Sequence, residues 1–384
     1  MRIANVEAIP FRLPVRREFR WTGLNAALGS FVLVRIHTDS GLVGLGEATP
    51  LPDWGGDYGR RAGETQDTVI SVVTKVLAPV LAGRDPTSVE PLLAEMDHVL
   101  WGHNYAKAAI DIALHDLWAK AMQQPLYAAL GGAVRPEVPL AHMIGLMSDQ
   151  EAVAEAAGAV ADGIGALQVK GGVDAERDIR VLNSLRETLG PHVLLRLDPN
   201  QGYGRAKEAI NIVRRLAPGV LDMLEQPVTG LRDMAAVTKA VDLTVIADES
   251  CWDPRDALEV VQAEAADAIS IYLAKAGGIA RARQVAGIAS AAGLPCDING
   301  SLESGIGNAA NLHFALATPA VRLPSVIPVS APAGFRPFQV GGAYFDDDII
   351  REAFKAEDGA LLPLEAPGLG IELDEEKLER YRVD

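Results

Sequence analysis

At 384 residues the chain is long enough for one large barrel of ~250 residues and a second, smaller domain. With 49% hydrophobic and 22% charged residues it has the composition of a soluble globular protein, and a formal charge of −16 argues against nucleic acid or anionic membranes as partners. The two cysteines, Cys251 and Cys296, are too few for a disulfide framework and fit a reducing cytoplasm.

The opening residues Met1-Arg2-Ile3-Ala4-Asn5-Val6 lack the apolar core of a signal peptide, and no run of about 18 uncharged apolar residues follows. Residues 30–48 read as a hairpin: Phe31-Val32-Leu33-Val34-Arg35-Ile36, a turn at Asp39-Ser40-Gly41, and a return through Leu42-Val43-Gly44-Leu45-Gly46-Glu47. Helical spacing predicts helices near 63–82, 87–99 and 105–121. Strands followed by helices make an α+β unit, which the pattern ends at Gly131-Gly132.

From 138 onward, short β-like runs alternate with helical ones. The runs are 139–145, 166–170, 193–198, 221–225, 243–248, 267–272, 294–299 and 322–329. Repeated βα units imply right-handed crossovers and a parallel sheet, and eight of them suggest a closed barrel. In such a barrel, chemistry sits where the strands end. The second to sixth runs end in Gln168-Val169-Lys170, Leu197-Asp198-Pro199-Asn200, Leu224-Glu225-Gln226-Pro227, Ala247-Asp248-Glu249-Ser250 and Ile271-Tyr272-Leu273-Ala274-Lys275.

Three consecutive runs thus end in a carboxylate: Asp198, Glu225 and Asp248. Neighbouring strands lie ~5 Å apart, so these groups converge. Crowded carboxylates repel and hold protons unless a hard cation joins them. An all-oxygen set favours Mg2+, with Mn2+ as the alternative, over zinc. A strand-end acid on its own is more often a helix cap; three in register, with Lys170 one strand before, point to a metal centre with a base beside it. Mg2+ on a substrate carboxylate stabilises the enediolate formed when its α-proton leaves, and also lowers the pKa of Lys170. The structural alternative for Lys170 is a plain ion pair.

Several further stretches complete a pattern: Pro125-Leu126-Tyr127-Ala128-Ala129-Leu130-Gly131-Gly132, Asp198-Pro199-Asn200-Gln201, Lys275-Ala276-Gly277-Gly278, Leu302-Glu303-Ser304-Gly305 and Pro367-Gly368-Leu369-Gly370. With the strand ends above, the chain resembles the muconate-lactonizing-enzyme subgroup of the enolase superfamily over nearly its whole length. The resemblance implies a (β/α)7β TIM-type barrel at 133–332, an α+β capping domain at 1–132, and a C-terminal segment, 333–384, that returns to the cap. It also implies that Asp198, Glu225 and Asp248 hold the metal, that Lys170 is the acid/base, and that cap loops close over a small carboxylate substrate. The enzyme is expected to be a homo-oligomer.

The sequence departs from the subgroup in three places. Gln168 replaces the first lysine of Lys-x-Lys, and Tyr272 replaces the first of two lysines around the sixth strand's end. Ser325-Val326-Ile327-Pro328-Val329-Ser330 lacks the aspartates that anchor a dipeptide's ammonium. The seventh run, Pro295-Cys296-Asp297-Ile298-Asn299, has no histidine base either. One lysine suffices for syn dehydration of a small β-hydroxy carboxylate, a sugar acid or hydroxyproline-like amino acid, which is therefore the leading expectation. Racemisation or epimerisation by Lys170 and Tyr272 comes next, then cycloisomerisation. A metal-binding scaffold without catalysis is the reading from another class.

Tyr272 is read either as an opposite-face acid or as a hydrogen-bonding wall residue. Gln168, Asn200, Lys275 and Glu303 are candidate substrate contacts, the last two with an equally good structural reading. Residues 19–22 and 53–61 resemble the closing loops. There Trp21, Trp54 and Tyr58 offer aromatic faces and Asp53 and Asp57 negative charge, for a ring or an ammonium group or simply to seal the mouth.

Overall fold

In the computed structural model, which describes residues 1–331 and 336–383, the chain opens with three long strands. β1 (Ile3–Arg12), β2 (Ser30–Thr38) and β3 (Val43–Ala48) form an antiparallel sheet. α1 (Gln66–Ser71) runs through a π-helical turn at Val72–Leu77 into α2 (Ala78–Leu81). The spacing predicted one unbroken helix here. Pro79 has no N–H to give, and the Ala78 N–H reaches Val73 O, five residues back, so the ladder widens before the proline. α3 (Val89–Val99), α4 (Asn104–Ala121) and the short α5 (Leu126–Ala129) follow.

α4 is buried on almost every side, which its alanines permit by letting backbones approach. The closest approach is to β3, where a Cβ on Gly46 would stand 1.9 Å from the Ala109 carbonyl oxygen.

The alternating region comprises β4 (Val138–Pro139), β5 (Ala141–Ile144), α6 (Asp149–Ala161), β6 (Ala166–Lys170), α7 (Ala175–Leu189), β7 (Leu194–Asp198), α8 (Ala206–Val213), β8 (Met223–Glu225) and α9 (Leu231–Thr238). It continues with β9 (Thr244–Ala247), α10 (Pro254–Gln262), β10 (Ala268–Ile271), α11 (Leu273–Ala276), α12 (Ile279–Ala291), β11 (Cys296–Ile298) and α13 (Gly305–Ala317). β5 to β11 pair in sequence order, all parallel, in one curled seven-stranded sheet. Both faces are covered, one by helices and one by the strands' own inward side chains, so the strands read as apolar runs.

The eighth run, 322–329, does not form a strand. Pro324 and Pro328 remove two ladder donors, and only isolated bridges remain, Val321 to Cys296 and Ser325 to Leu140. These touch both outer strands of the sheet. Val326 N also donates to Ile298 O at 2.8 Å, and Ala141 N to Ser325 O at 2.9 Å.

β12 (Ala356–Glu357) pairs with β13 (Ala360–Leu361), which in turn pairs with β4, while α14 (Glu375–Tyr381) lies near β1. Gly368 bridges Pro125, and Leu369 N donates to Asp116 Oδ1 at 2.8 Å. The expected boundary at 332/333 lies outside the described residues. No helix among the described residues is long and apolar enough to cross a membrane.

Gly46→Ala should cost about 1–3 kcal/mol through overpacking against α4, read as a lower urea midpoint. An unchanged midpoint would show that β3 and α4 do not pack this tightly.

Candidate active site

The strand register brings the acids together. Lys170 and Asp198 are direct partners across β6 and β7, Glu225 ends β8, and Asp248 follows β9 by one residue. All four side chains are buried. The Lys170 Nζ donates to Asp198 Oδ2 at 2.6 Å. The Gln168 amide bridges two acids, donating to Asp198 Oδ2 at 3.1 Å and Glu225 Oε2 at 2.7 Å. The Arg196 Nε lies 3.2 Å from Glu225 Oε2, while its other end pairs with Asp297. Asn299 donates to Glu225 Oε1 at 3.2 Å. The Tyr272 hydroxyl donates to Asp248 Oδ2 at 3.1 Å.

The backbone is unusual at the same ends. Asn200, Gln201, Gln226 and Leu302 all adopt positive φ, at 46°, 67°, 32° and 62°. Such non-glycine conformations are kept where the surroundings over-determine them, and they cluster at functional sites. Here they sit just beyond β7, β8 and β11.

The electrostatics follow from burial and crowding. Burial, then the neighbouring Glu225 charge, push the Asp198 carboxyl up to about 7 against the pull of Lys170. Asp248 is also raised, chiefly by burial and against Lys275. Burial and the other carboxylates hold the Tyr272 phenol well above its ordinary range, so it stays protonated. For Lys170, burial favours the neutral amine, but Asp198, Glu225 and Asp248 outweigh it and raise the ammonium.

The donor set fits a hard divalent cation: three buried carboxylates, all oxygen, at adjacent strand ends, repelling one another enough to retain a proton. Asp198, Glu225 and Asp248 would hold it. Among the described residues, however, no three His, Cys, Asp or Glu side chains stand as an assembled metal cluster. The reason is visible in the bonds above. Lys170, Gln168 and Tyr272 occupy carboxylate edges that a cation would have to take over.

A small cavity lies above these groups. Its walls include Lys170, Tyr272, Asn200, Asn299, Trp21 and Trp54. Trp54 stacks near Tyr272 and Trp252, with centroids 5.1 and 5.0 Å apart, and Trp21 lies 5.6 Å from the Lys170 Nζ. The loop carrying Trp21 is tied down by Thr22 Oγ1, which donates to Gly171 O at 2.6 Å. A second space outside this roof is lined by Trp21, Asp53, Trp54, Tyr58, Asn200 and Glu249 among others.

Several candidate contacts land elsewhere. Lys275 is 1% exposed and spends its three donors on Asp248 Oδ1, Asp248 O and Ser270 O, at 2.7, 2.8 and 2.9 Å, leaving none for a substrate. Gln168 is fully buried between the acids rather than on the cavity wall. Glu303 accepts from Ser301 N at 2.9 Å and is absent from the cavity walls; burial raises it to about 7, and its charge adds to that of Glu47. Tyr58 is 68% exposed and lines only the outer space. Asp57 is turned inward onto Gly230 N and Ser250 Oγ, and Asp53 caps Asn25 and Ala26. Neither aspartate is the free lid charge expected from the sequence.

Sequence reasoning passed over Glu249. It is 2% exposed, takes a 3.0 Å bond from Asn200 Nδ2, and keeps Oε2 unpartnered. Its place directly after Asp248, the third strand-end acid, was the available signal. Arg196 and Asp297 were also missed, because a mid-strand arginine gives no sign of which way it points.

The model of the "Mandelate racemase / muconate lactonizing enzyme, N-terminal domain" matches residues 14–131, and "Enolase C-terminal domain-like" matches 151–377. The chain is 31% identical to muconate cycloisomerase 1 of Rhodococcus opacus, covering 99% of this chain and 98% of that protein. The crystal structure of N-succinyl Arg/Lys racemase from Bacillus cereus superposes with a TM-score of 0.89 at 28% identity, covering 100% of this chain and 99% of the other. A dipeptide epimerase from Enterococcus faecalis, complexed with Mg and the dipeptide L-Leu-L-Tyr, gives 0.86 at 30% identity, covering 97% and 99%.

A raised carboxyl makes the folded state prefer its proton. Its cost is absent below the ordinary carboxyl range and grows as pH rises through about 7 for Asp198. Metal ligands must be ionised, so Mg2+ should raise Tm more at about pH 8.5 than at about pH 5, the stabilisation at the higher pH being roughly 2.7 kcal/mol at one hundred times Kd. Melting with Mg2+ against EDTA checks this. An equal shift in the Asp198→Asn/Glu225→Gln/Asp248→Asn variant would place the metal elsewhere.

Proposed function

The chain belongs to the mandelate racemase/muconate lactonizing enzyme group of the enolase superfamily, and on that premise we propose that Lys170 takes the proton next to the carboxylate of a small substrate and works as the only base. It is an enzyme of the lyase or isomerase type. The observation that carries the proposal is that Lys170 is the one ammonium on the inner cavity wall. The phenol opposite it is committed to Asp248 and holds its proton firmly.

A divalent cation on Asp198, Glu225 and Asp248, Mg2+ in our reading, would neutralise charge developing on the substrate carboxylate. The rest falls to the protein. Lys170 is released from Asp198 when that carboxylate is neutralised otherwise, and its burial then favours the neutral amine. Trp21, Trp54, Leu51, Met143 and Leu302 form walls for an apolar or ring-shaped body and keep water out. Gln168 and Arg196 keep Glu225 and Asp198 in place.

With one base, the reaction needing nothing further is syn elimination: Lys170 removes the α-proton and returns it to a β-hydroxyl as that leaves. We therefore keep dehydration of a small β-hydroxy carboxylate as the leading reading. The cycloisomerisation named for the Rhodococcus relative would draw on the same single base. A second reading is favoured by one specific contact: the Tyr272 side chain faces the same cavity as Lys170. There it could deliver a proton to the opposite face, as racemisation or epimerisation requires. We also read the sheet as a (β/α)7β barrel closed through 321–326, capped by residues 1–132, in a cytoplasmic enzyme.

The test is exchange of the α-hydrogen in D2O with Mg2+ and a panel of small β-hydroxy acids and amino acids. Lys170→Ala should abolish exchange with the fold intact, and persistent exchange would remove Lys170 as base. Tyr272→Phe should cost about fivefold, ~1 kcal/mol, if only Lys170 acts. If turnover stops while one enantiomer still exchanges, the two-face reading stands instead.

A further inference from the structure

A cavity that stands apart from the strand-end acids lies between α3, α4 and α12. It measures about 660 Å3, within the range of small-molecule sites. Three elements form it: the first turn of α3 with Thr87 and Ser88 before it, the His115–Trp118 stretch of α4, and Ala280, Arg283 and Gln284 of α12.

Several of its polar groups have no partner among the described residues. Arg283 is exposed and makes no ion pair or hydrogen bond among the described residues. Gln284 and the Ser88 hydroxyl make none either, so the first N–H groups of α3 have no side-chain cap. His115 is 95% buried, with 5% of its surface exposed, yet its Nε2 has no partner among the described residues. The other nitrogen, Nδ1, faces Asp111 O at 2.8 Å and Asp111 Oδ1 at 3.2 Å, so it carries the proton. Nε2 therefore becomes a donor only in the imidazolium. Burial opposes that charge, but Asp111 outweighs it and raises the His115 pKa, while Arg283 is near enough to push it back. The Arg283 guanidinium and the His115 ring thus line one open space, and an anion between them would take the arginine's free donors and favour the proton on His115.

The remaining wall is flat and apolar. The Trp118 indole meets His115 edge-on, with centroids 6.1 Å apart at 78°, and Val89, Pro91 and Ala280 complete it. Glu90 is the one acid on the wall, and it is exposed. In a chain with a formal charge of −16, an arginine without an ion pair on a cavity wall is a notable exception.

We propose that this cavity is a second binding site for a small carboxylate with a flat apolar body, its carboxylate held between Arg283 and His115 and its body lying on Trp118. The site is separate from the strand-end acids and does not rest on the reaction proposed above.

The probe is 4-fluorobenzoate, titrated into the Mg2+-loaded full-length enzyme and followed by fluorine NMR. Saturable binding is expected, weakened by about tenfold or more in Arg283→Glu. Arg283 has no structural partner, so this variant should fold and keep its basal turnover. Lys170→Ala should bind the probe at this site as the wild type does. The proposal is overturned if the wild type shows no saturable binding or if Arg283→Glu binds equally well. It is also overturned if the only saturable event is lost in Lys170→Ala, which would place the probe among the strand-end acids.

Discussion

Holding Asp198, Glu225 and Asp248 side by side in a dry interior is the constraint around which the molecule is arranged. Each carboxylate loses its water, and each repels the next. The chain answers with cations from three strands or strand ends. Lys170 serves Asp198, Arg196 joins Glu225 to Asp297, and Lys275 serves Asp248. Three positive groups face four negative ones, and the deficit shows in Asp198, which keeps a proton up to about 7. A cluster so nearly balanced has a direct use. One more cation would discharge it, and under the proposed function the ammonium now acting as a counter-ion would be free to move a proton.

The roof turns this electrostatic arrangement into a site. Two loops from the N-terminal part reach over the strand ends, and polar bonds as well as apolar packing pin them. Thr22 holds one loop to Gly171, Asp53 ties the two loops together, and Asp57 and Arg61 fasten the second to the turns at Gly230 and Asp253. The tryptophans hung on these anchors exclude water, which strengthens every charge interaction beneath them.

Two substitutions give the site its own character against the subgroup it resembles. Gln168 puts a neutral amide where a second ammonium would stand, so the acids lose one counter-charge but keep a bridge between two of them. Tyr272 presents a phenol held in place by Asp248 and stacked near Trp54. Together they leave Lys170 as the amine on the wall of an aromatic chamber, the arrangement on which the proposed single-base chemistry rests.

The sequence by itself determined the order of strands and helices, the strand ends, and the identity of the acids and of Lys170. These follow from local periodicity and from a register that spaces neighbouring strands evenly. Tertiary structure alone decided what each polar side chain serves. Lys275 and Glu303 read equally well as substrate contacts or as supports, Gln168 as a substrate contact, and Asp53 and Asp57 as lid charges or a seal; the fold gave each a partner within the protein. Most of those partners lie tens or hundreds of residues away, as Asp57 does from Gly230, and no local pattern encodes that pairing. The same holds for the eighth run and the π-helical turn. The apolar pattern there promised a strand and an unbroken helix, but prolines had removed the donors that regular ladders require, and what the backbone did instead depended on the acceptors its neighbours could offer.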